Sequence, residues 1–168
     1  YNLGYSWLKK ENYKNALSYF EQISKTASVT ASAMEQDAYV RSADCYFMLK
    51  DFSRANTMYD AVIANALPQS DYAYFQKALC YGFVSKNDKK IQELNTFLQL
   101  YPKSEYRDDA FFELGNTYVA QNNQDLAIKT YDKLNVEFKN GSFTSKAILK
   151  QGLVYYNADK DEQALTKF

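Results

Sequence analysis

The chain has 168 residues, 46% of them hydrophobic and 17% aromatic, enough to build one substantial core or a row of small linked ones. Its 20 basic and 20 acidic residues cancel, so it lacks the electrostatic footprint that binds nucleic acid or anionic lipid. It contains no histidine, which removes the commonest general base and the commonest metal ligand together.

Taken in chain order, the apolar periodicity predicts helices near 1–10 and 13–25, then 33–49 and 52–66, 71–85 and 88–100, 105–121 and 124–138, and 143–157 and 161–168. These pairs repeat. Gly4, Gly115 and Gly152 fall on one lattice, with steps of 111 residues (three times 37) and 37, and each has an aromatic three residues later: Trp7, Tyr118 and Tyr155. Twelve residues after each glycine comes an alanine (Ala16, Ala127, Ala164), and an aromatic follows four later (Phe20, Tyr131, Phe168). Ala43, Tyr46, Ala55 and Tyr59 make a second copy, and Ala78, Tyr81, Lys90 and Leu94 a weaker third. A glycine in mid-helix costs about 1 kcal/mol relative to alanine, so its recurrence implies close approach of a partner helix against the small alanine. Ser70, Ser104 and Ser142 stand where helix N-caps are expected. Cys45 and Cys80 occupy equivalent points on successive first helices, too far apart for a disulfide, and read as free core thiols.

The order Phe111, Leu114, Gly115, Tyr118, Ala127, Tyr131, with Pro102 in the preceding loop, resembles the tetratricopeptide repeat. The resemblance spans the chain, although the 37-residue steps exceed the usual period of about 34 and Lys90 replaces the expected alanine. It implies an all-α solenoid of about five helix-turn-helix repeats in a right-handed superhelix, one array over 1–168, with repeats at 1–31, 32–69, 70–103, 104–141 and 142–168. Both ends stop in apolar sequence, whereas terminal repeats of a solenoid carry polar outer faces, so the array is expected to be a fragment of a longer one. The longer repeats resemble those of bacterial cell-envelope assembly proteins, a resemblance that favours the periplasm or cell envelope.

Chemistry is scarce. Asn140-Gly141-Ser142 lacks the remainder of a phosphate loop, and the acid pairs Asp108-Asp109 and Asp159/Asp161 read as solvated partners of helix starts. No enzyme activity, metal or cofactor is expected. In the resembled family the outward arc of each first helix lines a concave groove, and here that arc is mostly apolar; the candidate groove residues are Tyr5 and Leu8; Val40, Asp44 and Phe47; Phe75, Leu79 and Phe83; Phe112, Asn116 and Val119; Lys150, Leu153 and Tyr156. Asn116, Lys146 and Lys150 match three positions of the family's carboxylate clamp, but Phe75, Leu79 and Leu153 replace its other polar residues, so an apolar groove is favoured over a clamp. The expected function is a protein-interaction scaffold holding a peptide or helix in an aromatic-lined groove, or alternatively a structural spacer or self-association module. A protein or peptide partner is expected, or a second copy, with neither nucleic acid nor direct membrane insertion.

Overall fold

Each first helix ends in the same turn. Glu11, Lys50, Ser85, Asn122 and Asp159 all adopt a left-handed backbone, with φ between 55° and 63°. The amide after each donates to the carbonyl of the repeat's aromatic, from Asn12 to Trp7 at 3.0 Å, Asp51 to Tyr46, Lys86 to Tyr81 and Asn123 to Tyr118 at 2.9 Å, and Lys160 to Tyr155 at 3.0 Å. This is the Schellman closure, which satisfies carbonyls that a helix end leaves free. The turns are spaced 39, 35, 37 and 37 residues apart, as are Ala16, Ala55, Lys90, Ala127 and Ala164. None of the five is a glycine, so each carries a left-handed penalty of about 1–2 kcal/mol. Glu11→Gly and Lys50→Gly are therefore each expected to raise stability by about 0.5–1 kcal/mol after the added chain entropy of glycine. A urea midpoint that is unchanged or lower in both would show these turns to be unstrained.

The computed structural model describes residues 1–167, so Phe168, the expected aromatic of the fifth repeat, lies outside the described residues. Among them are ten helices and no strand: α1 (Asn2–Lys9), α2 (Tyr13–Glu21), α3 (Ala33–Met48), α4 (Phe52–Ala64), α5 (Ser70–Phe83), α6 (Asn87–Leu100), α7 (Arg107–Ala120), α8 (Gln124–Glu137), α9 (Thr144–Tyr156) and α10 (Asp161–Leu165). None is long and apolar enough to cross a membrane. The helices gather into two units, Tyr1–Lys86 with α1–α5 and Asn87–Phe168 with α6–α10, in each of which consecutive helices pack on one another. The division falls between the two helices of the expected third repeat.

In the first unit Ala16, Phe20, Ala38 and Cys45 form one core cluster, and Ala43, Ala55, Tyr59, Val62 and Leu67 belong to a larger one. In the second, Phe111, Ala127, Tyr131, Leu134 and Ala147 play the same part. The glycine lattice works by close approach: a Cβ on Gly4 would lie 2.8 Å from the Phe20 ring, and one on Gly115 would fall inside the Tyr131 ring's contact radius. Lys90, at the alanine position of the third repeat, is buried and reaches Glu113 of α7 at 2.6 Å, so an ion pair takes the place of small-residue packing. Both thiols are free and buried, and burial pushes each up to about 12, which keeps them protonated and inert.

The expected serine caps are corrected. Ser70 lies inside α5 and donates its hydroxyl to Leu67 O at 2.6 Å, Ser104 lies three residues before α7 and accepts from the Tyr106 amide, and Ser142 is exposed ahead of α9. The caps are instead Asn12, Asp51 and Asn123, each placed directly after a left-handed turn residue, and Ser32, whose capping box with Glu35 opens α3. A serine beside a loop can satisfy a loop carbonyl equally well, and at Ser70 that use wins.

Candidate partner-binding groove

Asp37, Arg41 and Asp44 are spaced four and three residues apart and so share one face of α3. The Arg41 guanidinium joins them: Nε donates to Asp37 Oδ1 at 3.3 Å, Nη1 donates to Asp44 Oδ2, and Nη2 donates to Gln69 Oε1 at 2.8 Å. Gln69 returns its amide to Asp37 Oδ1 at 3.0 Å. Tyr1 and Tyr5 of the first repeat each donate a hydroxyl to Asp37 Oδ2 at 2.6 Å. Tyr59 of α4 and Tyr72 of α5 donate to Asp44 Oδ1 at 2.7 and 3.0 Å, and the Arg41 guanidinium lies 5.4 Å from the centre of the Tyr72 ring. One network thus ties α3 to α4, α5 and the start of the chain.

The two carboxylates are set differently. Burial opposes ionisation of Asp37, but the hydroxyls of Tyr1 and Tyr5, the Gln69 amide and the Arg41 charge outweigh it and hold the carboxyl below its usual range. Burial is deeper at Asp44 and prevails over Arg41 and the two tyrosine hydroxyls, so this carboxyl stands above the usual range.

Beside the network opens a groove of about 380 Å³. Leu8, Phe47 and Met48 give it an apolar side; Asp44, Tyr59, Tyr72 and Gln76 make a polar floor; Lys9, Glu11 and Tyr13 stand at its lip. Three of the residues expected from sequence, Leu8, Asp44 and Phe47, come together here, and Tyr5 lies in the adjoining network. The lining is mixed rather than uniformly apolar. Val40 and Phe75 are 1% and 6% exposed, so they belong to the interior and offer no surface to a partner. Leu79 is half-buried, and Phe83 is 63% exposed, stacked on Phe52 at 5.0 Å with Phe47 edge-on to both.

In the second unit, Phe112 is half-buried against the Phe143 ring at 4.8 Å, and Asn116 accepts the Tyr131 hydroxyl at 2.8 Å, the counterpart of the Tyr59–Asp44 bond 72 residues earlier. Val119, Leu153 and Tyr156 are exposed, as is Lys150. The Lys146 ammonium sits over the Phe143 ring at 5.3 Å. Asp37, Arg41, Gln69 and Tyr72 were missed by the sequence reading; the Asp-Arg-Asp spacing on one helical face was the available signal.

Residues 37–70 and 109–140, which fall in the second and fourth expected repeats, match the tetratricopeptide-repeat family. Over those two segments the chain is similar to that family. No curated protein sequence matches it. Among solved structures, a crystal structure of MamA superposes with a TM-score of 0.77 at 17% identity, over 99% of this chain and 90% of that one. MamA from Desulfovibrio magneticus, residue 41 to its end, gives 0.74 at 16% over 99% and 88%. The TPR-like repeats of a putative kinesin light chain from Podosopora anserina give 0.75 at 12%, again over 99% and 88%. At these identities the likeness establishes the fold alone, a succession of paired helices.

Proposed function

We propose that this chain is a non-enzymatic protein-interaction scaffold and that the groove of its first unit receives a segment of a partner protein. The observation that carries the reading is the pairing of an apolar side, Leu8, Phe47 and Met48, with a floor in which Asp44, Tyr59 and Tyr72 are already fixed by hydrogen bonds. A floor held in place loses little entropy when a ligand settles on it, and the apolar side supplies the burial that drives association. Arg41, Asp37 and Asp44 act here as a frame that orients Tyr72 and Tyr59, while the exposed Met48 is the contact most open to a partner.

The test is site-specific photo-crosslinking in the cells that make the protein. A photoreactive residue at Met48 is expected to give a discrete protein adduct that is lost when Leu8→Glu is added, whereas the same probe at exposed Lys103 gives none. Equal adduct patterns at both sites, or none at Met48, would dispose of the groove. An adduct with a second copy of the chain would turn the reading toward self-association.

A further inference from the structure

A second cleft, of about 560 Å³, lies in the other unit between α6 and α8 above α7. A smaller one of about 400 Å³ occupies the same place in the repeat in the first unit, between α2 and α4 above α3. The architecture therefore makes a cleft wherever two second helices flank a first helix, and what distinguishes the pair is their side chains.

In the first unit the tyrosine of the cleft and its flanking charges pair with one another. Tyr46 donates to Glu21 at 2.7 Å, and Arg54 covers the Tyr46 ring at 4.4 Å while pairing with Asp51. In the second unit the equivalent positions read differently: Asn95 stands for Glu21, Leu98 for Ser24, Leu126 for Arg54 and Lys129 for Thr57. The acid is gone, the guanidinium lid over the tyrosine is replaced by an aliphatic chain, Gln99 stands for Lys25 on the α6 side, and Lys129 brings a cation to the α8 side of the rim. The result is an apolar floor of Leu98, Phe111 and Leu114 edged by Leu126, which is 39% exposed.

The charges around this cleft are sorted by their partners. Arg107, at one end, is neutralised by Glu137 at 2.6 Å and donates to Leu98 O at 2.7 Å. Asp132, the one acid of the lining, accepts from the buried Gln151 at 2.8 Å and faces Lys167 at 3.7 Å. Lys129 and Lys133, one turn apart on α8, are exposed and have no ion-pair partner among the described residues. An apolar floor beneath two unpaired cations calls for an occupant that is apolar on one stripe and anionic along its edge.

From this we infer that the cleft between α6 and α8 docks an acidic amphipathic helix of a partner protein, its apolar stripe on Leu98 and Leu126 and its carboxylates on Lys129 and Lys133. A helix fits because its i, i+4 spacing sets carboxylates at the same interval as the two lysines. The site is separate from the groove of the first unit and stands or falls independently of it.

The test uses a synthetic amphipathic helix with leucines on one stripe flanked by glutamates, and a twin with lysines in their place. Titrated into the isotope-labelled chain, the acidic peptide should bind saturably and shift the amides of Leu98, Leu114 and Leu126. The double change Lys129→Glu and Lys133→Glu should weaken it roughly tenfold, because two rim charges then repel rather than attract. Both lysines are exposed, so the variant should keep the parent circular dichroism spectrum. Equal binding of the lysine twin, shifts confined to α3 and α5, or no saturable binding would each overturn the inference. So would lysine-dependent binding to phosphatidylglycerol vesicles without binding to the peptide, which would make the rim a lipid contact.

Discussion

Gly115→Leu is expected to destabilise the chain by about 2–3 kcal/mol, and Gly141→Leu by under about 1 kcal/mol. At Gly115 even a Cβ would collide with the Tyr131 ring, which is fully buried and tethered through its hydroxyl to Asn116 at 2.8 Å, so the ring cannot swing aside. The better helix propensity of leucine returns about 1 kcal/mol at most. Gly141 lies in a loop, has no left-handed φ, and would bring a Cβ to 3.0 Å from Phe138 Cβ, a crowding that loop backbone relieves by a small shift. Denaturant midpoints that fall equally in the two variants would show that α7 and α8 do not approach as closely as the geometry requires.

Arg41→Met should cost about 3 kcal/mol at neutral pH, because it keeps the apolar stem but leaves Asp37 and Asp44 partly buried with no cation between them. The loss should shrink as pH falls. In the parent chain Asp37 is held below its usual range, so the stability it contributes is present above the unfolded value and lost as pH drops through the lowered one. Asp44 stands above its usual range, and its contribution runs the other way, complete at low pH and lost as pH rises through the raised value. Without Arg41 both carboxyls move up, the variant gains on acidification, and the two stability curves converge toward acid. A difference between them that is constant with pH would mean that Arg41 acts through packing alone.

The helices and their period were legible because a repeat cannot vary freely at the positions where its two helices touch. Gly4 against Phe20, Gly115 against Tyr131, and the buried Ala16, Ala55 and Ala127 are each fixed by a contact within one helix pair, and such contacts recur at constant spacing in the chain. The turns obey the same period, but their left-handed residues are Glu11, Lys50, Ser85, Asn122 and Asp159, which share no side chain, so only the backbone reveals them. Periodicity also says which residues lie on one stripe of a helix, without saying which neighbour covers that stripe. Val40 and Phe75 were therefore counted on an open arc and are inside, while Phe83, further along the same helix as Phe75, is outside. The polar frame of the groove was hidden for a related reason: Tyr1 and Asp37 are 36 residues apart, and Asp44 and Tyr72, on different helices, are 28 apart. Within one helix, spacing alone determined that Asp37, Arg41 and Asp44 share a face; that tyrosines from the flanking repeats donate to both carboxylates, and that a groove opens beside them, was decided only when packing placed those helices side by side.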